Sequence, residues 1–371
     1  MGSVLIISNG RGEDAVGAAI GERLRRSAAV AAFPLVGLGE AYAEIPLAEP
    51  RGQLPSGGFT LRGGIRTLLT DLRAGGFGFW RRQRKALKRR AGHDNVVVVV
   101  GDAYALWMAA STRASIVFVA TAKSESNERH RAPEIMLMRR HARVVFTRDE
   151  RTADALRRRH LDARFAGNPL VDVIPEPAGA LPLPPGAPVV LLLPGSRADA
   201  PRNLGMLLRL SRRVAVMEPA IFVAAVPPAV EMARLAHDAI AAGWMVDGAF
   251  LRLPSAATLV TRDFGSAVRR ATVVIGLAGT ANEQAAALGI PVVAFAPRGA
   301  VQYTTAFMRL QHRLLGDALV PTADWERAAE ITVRLLRDAG ERVRRGAVGR
   351  ERMGPPGGVP AVVAEVQQRL R

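Results

Sequence analysis

Short aliphatic and β-branched runs, each closed by a glycine or polar turn and followed by a stretch of helical spacing, recur along the chain. VLIIS at 4–8, NVVVVV at 95–100, SIVFVA at 115–120, RVVFT at 143–147, VVLLL at 189–193 and IFVAA at 221–225 are of this kind, and FPLVGL at 33–38 and residues 257–261 read as further strands. Strands without polar alternation are those buried on both faces, as in a parallel sheet covered by helices. Between them the spacing predicts helices at 15–26, 65–73, 103–111, 148–159, 203–216, 264–270 and 281–288. A helix through Gly316, a helical region from Trp325 and a terminal helix at 360–371 follow. Residues 40–64 are loop-rich. Six prolines between Pro175 and Pro188 give a linker composition, and Met353-Gly354-Pro355-Pro356-Gly357-Gly358 sets off the last helix. The expected organisation is two α/β, Rossmann-like domains with parallel sheets facing a cleft: residues 1–174, a linker at 175–188, residues 189–352, and residues 353–371 as a C-terminal helix crossing back to the first domain.

The pattern also places the polar loops. In 273–295, VVIGLAGTANEQAAALGIPVVAF, a strand breaks at Gly276, Gly279-Thr280 opens an Ala-rich helix, and Ile290-Pro291 leads into a second strand. Free N–H groups and the positive end of the helix dipole meet at residues 279–282, which suits a nucleotide diphosphate; an ordinary βαβ unit with packing glycines is the competing reading. Pro194-Gly195-Ser196-Arg197 repeats the theme, with backbone amides and a guanidinium fork for phosphate. In the first half, Asn9, Gly10, Glu13 and Asp14 follow the first strand at the edge where α/β proteins bind ligands, although the loop is not GxGxxG and Asp14 also fits a helix cap. Asp102 ends the valine strand at the same edge, either as a general base or as the cap of the next helix. Lys123, Ser124, Ser126 and Asn127 lie in the polar loop TAKSESNERH and could meet a sugar or phosphate. His130 and His141 are isolated, and no metal site is expected.

Composition narrows the setting. At 371 residues and 49% hydrophobic content the chain has enough material for two cores, and no run reaches the roughly 20 apolar residues that span a bilayer. MGSVLIISNG reads as a first core strand rather than a signal peptide, and the absence of cysteine removes disulfides and thiolate chemistry; the expected compartment is the cytoplasm. The net charge of +18 rests almost wholly on arginine, since Lys85, Lys88 and Lys123 are the only lysines. Part of it is compositional bias. Residues 75–92, GGFGFWRRQRKALKRRAG, are different: Phe77, Phe79 and Trp80 precede Arg81, Arg82 and further basic groups, a combination suited to an anionic bilayer surface, where each charge contributes about 1 kcal/mol. A solvated helix face is the plainer reading. Nucleic acid is not expected, for no recognisable binding motif accompanies the charge.

Three motifs then carry a resemblance. GNPLVD at 167–172, LLLPGSR at 191–197 and AGTANEQAAALGIPVV at 278–293 stand in the order and spacing of the lipid-A-disaccharide synthases and their related proteins, and EDAVGAAI at 13–20 is similar to that family's helix start, with Asp14 and Gly17 on matched positions. The resemblance implies the GT-B fold, with an acceptor domain first and a donor domain second. It implies an inverting, metal-independent hexosyltransferase acting on a UDP-sugar, possibly of the UDP-GlcNAc type, and a lipid acceptor, with no cofactor. Asp102 is then the base. Gly195, Ser196, Arg197, Gly279, Thr280, Asn282, Glu283, Gln284 and Gln302 form the donor set. Asn9, Gly10, Glu13, Asp14, Lys123, Ser124 and Asn127 lie on the acceptor side. The expected location is peripheral, at the inner face of the cell membrane. Two departures lie in the acceptor half, where Asp102-Ala103-Tyr104-Ala105-Leu106 replaces Asp-Ala-Pro-Asp-Phe and TAKSESNERH replaces a Trp-rich segment; on the donor side Gln284 stands where a ribose-binding glutamate is expected, with Glu283 one residue earlier. A UDP-sugar 2-epimerase and a non-catalytic nucleotide-sugar-binding relic are the rival readings.

Overall fold

The structure is a computed structural model describing residues 2–52, 75–196, 199–227 and 230–371. The helix expected at 65–73 and Arg197 lie outside the described residues. The chain divides into two compact units, Met1–Val173 with Gly354–Arg371, and Ile174–Met353.

In the first unit the elements run β1 (Gly2–Ser8), α1 (Arg11–Leu24), β2 (Ala28–Pro34), α2 (Gly76–Arg89), β3 (Val96–Val100), α3 (Ala103–Ala109), β4 (Ser115–Ala120), α4 (Ala132–His141), β5 (Ala142–Thr147), α5 (Glu150–Arg157), β6 (Ala163–Arg164) and α6 (Pro169–Asp172). The sheet has six strands in the order β2-β1-β3-β4-β5-β6, with every neighbouring pair parallel. All five valines of β3 are buried, because alternate residues feed opposite cores. Ile6, Val98 and Val119 pack with α1 and the terminal helix Gly358–Arg369. Leu5, Val97 and Phe118 pack with Leu106 and Met138 of α3 and α4. Burying each valine contributes roughly 1.5–3 kcal/mol, which holds the strand at the centre of the sheet.

The GNPLVD motif fastens this unit together. Asn168 caps α6 through Leu170 N–H (3.1 Å), and the Asp172 carboxylate accepts from Gly357 N and Val359 N, both at 2.7 Å, so it binds the first turn of the terminal helix.

The second unit comprises β7 (Val189–Leu193), α7 (Ala200–Met217), β8 (Ile221–Ala225), α8 (Met232–Ala241), β9 (Met245–Asp247), β10 (Phe250–Leu253), β11 (Ala256–Thr261), α9 (Phe264–Arg270), β12 (Val273–Gly276), α10 (Thr280–Ala287), β13 (Val292–Phe295), α11 (Thr305–Leu315), β14 (Leu319–Thr322), α12 (Trp325–Arg337) and α13 (Ala339–Met353). Its eight strands run β14-β13-β12-β7-β8-β11-β10-β9, parallel except where β9, β10 and β11 pair antiparallel. The proline-rich segment is strapped to α9: Asp263 accepts from Ala178 N (3.2 Å), Ser266 donates to Gly179 O (2.7 Å), and Arg269 donates to Pro175 O.

Several expected boundaries move. The second strand is Ala28–Pro34 rather than 33–38, since Ala-rich positions 28–32 pair in register with β1. Helix α1 begins at Arg11, four residues before the expected start, because Gly10 at φ 144° turns the chain directly out of β1. No helix among the described residues is long and apolar enough to cross a membrane.

Candidate functional site

In an open parallel sheet, ligands bind where the strand order reverses, because the loops on either side diverge there and leave a crevice. The first unit reverses between β1 and β3, and the second between β7 and β12.

At the first reversal, Asn9 follows β1 and Asp102 follows β3. Asn9 Nδ2 donates to Asp102 Oδ1 at 2.9 Å, and the same oxygen accepts from Ala105 N at 3.1 Å, so Asp102 is the N-cap of α3 with its carboxylate oriented by the neighbouring loop. Burial and the Asp102 charge push the phenol of adjacent Tyr104 well above its ordinary value.

Asp14 sits elsewhere than expected. It is neither a cap nor a surface contact: at 4% exposure it points inward, where Ser8 Oγ donates to its Oδ1 (2.5 Å) and Tyr42 Oη donates to Ser8 Oγ (2.8 Å). Burial pushes this carboxyl up to about 7, with the Ser8 hydrogen bond opposing and Glu13 adding to the rise. Gly17 belongs to the same arrangement, since a Cβ there would lie 2.1 Å from Tyr42 Oη. The Asp14 and Gly17 pair therefore admits a buried tyrosine.

The loop after β4 also spends its polar groups on itself. Ser124 is buried and accepts from Ser126 N (3.0 Å), while Asn127 Oδ1 accepts from Ser124 N (3.0 Å) and Glu128 N (2.6 Å). Lys123 Nζ lies between Glu134 (2.8 Å) and Glu128 (2.9 Å). These three residues shape the loop rather than present it to a sugar. His130, isolated in sequence, is brought to Glu134 at 3.3 Å through Nδ1; its side chain is 6% exposed, and its Nε2 is buried without a hydrogen-bond partner among the described residues. Burial of Glu134 alone would raise its carboxyl, but hydrogen bonds from His130, Lys123 and Arg131 N–H bring it down to about 2. Arg148, after β5, is buried and donates to Thr121 O (3.1 Å). That His130 meets Glu134 and that Arg148 meets Thr121 was not legible in the sequence, since only the fold brings these residues to one edge.

At the second reversal, Gly195 follows β7 with φ 89°, and a Cβ there would stand 2.9 Å from Leu277 O, so only glycine allows the loops after β7 and β12 to touch. Asn203 Nδ2 donates to Pro194 O (3.0 Å), and Asp199 accepts from Val301 N (3.0 Å) and Gln302 N (3.3 Å), which ties in the loop after β13. Ser196 is exposed, while Gly195, Gly279, Thr280 and Gln302 are half-buried, so all five remain open to a ligand. Asn282 does not: it is wholly buried, donating to Gly276 O (3.1 Å) and Gln311 Oε1 (3.0 Å), and Tyr303 Oη donates to the same Gln311 oxygen (2.8 Å). It pins the turn from behind. Gln284 is buried at 7% exposure and Glu283 is half-buried.

The basic segment forms α2, whose Gly76, Phe79, Gln83 and Leu87 face the core. Phe79 is thus removed from the expected membrane face, because the helical spacing that buries Gln83 and Leu87 turns it the same way. Phe77 is 54% exposed, Arg81 and Arg82 are exposed, and half-buried Trp80 stacks on Trp107 at 5.5 Å and 6°.

No family model matches the sequence, and no curated protein does. Solved structures match in fold. The kitacinnamycin glycosyltransferase superposes with a TM-score of 0.64 at 16% identity over all of this chain and 99% of its own. A UDP-N-acetylglucosamine 2-epimerase gives 0.56 at 14%, covering 99% and 94%. MnaA of S. aureus, solved with UDP, gives 0.61 at 13%, covering 100% and 97%. The chain has the GT-B fold that such proteins share.

Proposed function

We propose that the chain is a GT-B glycosyltransferase of the lipid-A-disaccharide synthase-like kind, moving a sugar from a UDP-sugar to a lipid acceptor with inversion and without a metal. The supporting observation is that Gly195, Gly279 and Thr280 lie at the reversal point of the second sheet, in loops built for close backbone approach, while Asn9 and Asp102 lie at that of the first, where the carboxylate is oriented. In this reading Asp102 takes the acceptor hydroxyl proton as that oxygen bonds to the anomeric carbon and the bond to the UDP β-phosphate breaks. The products are glycosylated acceptor and UDP. Charge growing on the diphosphate meets the amides at Gly195-Ser196 and the start of α10, with Arg197 as a further donor. Gln302 is the remaining open donor residue, and Glu283 is better disposed toward ribose than buried Gln284.

The acceptor side is proposed as Asn9, Gly10 and Glu13 with Asp102. Helix α2, with Phe77, Trp80, Arg81 and Arg82, would hold the cytoplasmic protein at an anionic membrane surface. Incubating the purified protein with UDP-sugars and lipid extract tests the reading: a glycolipid product and released UDP support it, and UDP binding without turnover on any lipid removes it.

The epimerase reading has one observation of its own, the His130–Glu134 pair beside Lys123, a cluster of acid–base groups at the β4 edge. Free C2-epimerised UDP-sugar, formed without acceptor and abolished in His130→Ala, would select it.

A further inference from the structure

Helices α7 and α8 stand over a groove of about 590 Å³, within the usual range of roughly 300–1,000 Å³ for small-molecule sites. Its apolar lining that still meets solvent is half-buried Met206 and Leu235, backed by Leu204, Leu208, Ala239 and Trp244, which are buried. Its rim is cationic: Arg202, Arg209, Arg212 and Arg234 stand against Glu231 and Asp238. Arg202 is 3.7 Å from Asp199 and Arg234 is 3.9 Å from Asp238, whereas Arg209 and Arg212, one turn apart on α7, make no ion pair among the described residues.

Two demands are therefore left unmet in one place. The floor favours a chain that displaces water, and the rim favours a negative group that stays near the surface. A neutral helix would leave the guanidinium groups uncompensated, and a free inorganic anion would leave the floor wet. We propose that this groove binds a single-chain amphiphile with an anionic head, its acyl chain along Met206 and Leu235 and its phosphate or carboxylate at Arg209 and Arg212. The site is independent of the donor reading, since none of its residues belongs to the reversal-point loops.

Calorimetric titration of the full chain with dodecyl phosphate below its critical micelle concentration tests this. Inorganic phosphate presents the head alone, and dodecyl maltoside presents the chain with a neutral head. The expected result is saturable binding of dodecyl phosphate only, weakened at least tenfold in the double variant Arg209→Glu/Arg212→Glu. Gly205→Leu is the second variant: Gly205 lines the groove and an added Cβ there meets open space, so the side chain fills the groove without disturbing the helix. It is expected to lose binding with an unchanged or raised Tm, because a helix-interior glycine is being replaced. Equal binding of maltoside, binding of phosphate alone, no saturable heat, or full binding in both variants would each overturn the proposal.

Discussion

Asp102 does two things that substitution can separate. Its Oδ1 caps α3 and receives Asn9, while the proposed chemistry needs a carboxylate that takes a proton. Asparagine keeps a capping oxygen but not the basicity, so Asp102→Asn is expected to fold with wild-type Tm and lose about 10²–10⁴ in kcat. Asp102→Ala should lose the same activity and also about 1 kcal/mol of stability. Steady-state kinetics beside thermal melting distinguishes the two, and an active Asp102→Asn would remove the base. Asp14 makes a prediction of a different kind. Its folded pKa, about 7, lies above the ordinary 3.8, so the neutral acid is the form the fold prefers. The stabilisation is fully present below about pH 3.8 and is lost as pH rises to about 7, an effect of a few kcal/mol. Urea midpoints from pH 4 to 8 should fall in wild type relative to Asp14→Asn; parallel curves would refute a protonated Asp14.

Single elements show what the sequence could and could not disclose. The valine run of β3 and the Gly279-Thr280 helix start were readable because burial on both faces and a broken strand leave local marks. Asn282 and Ser124 were misjudged for the opposite reason: a polar residue in a ligand-edge loop looks available until its partners, Gly276 O and Ser126 N, are folded against it. GNPLVD served as a family marker, yet its aspartate turns out to hold two amides about 185 residues away in sequence. Asp172→Ala should leave those amides unpaired at a cost of about 1–3 kcal/mol. Hydrogen exchange across the terminal helix is then expected to quicken by tenfold or more while that of β3 stays slow, and unchanged exchange in the helix would show that the clasp is not what retains it.

For the whole molecule, two sheets that each reverse their strand order once carry different residues at that point. Strand order repeats the reversal in both units, but one reversal carries an oriented carboxylate and the other carries glycines and open amides. Periodicity predicted two parallel-sheet halves; it could not give strand order, and hence could not say that Asn9 would meet Asp102 or that Gly195 would lie against Leu277. If the second unit alone holds the nucleotide, UDP should protect amides at 195–196, 277–282 and 298–303 from exchange while leaving 9–14 and 101–105 unaffected. Gly195→Val should weaken UDP binding by at least tenfold, because its side chain must displace the Leu277 carbonyl at a backbone conformation that valine rarely adopts. Glu13→Gln, in the other unit, should leave UDP affinity intact. Protection confined to the first unit, or wild-type UDP affinity in Gly195→Val, would reverse the assignment of donor and acceptor to the two sheets.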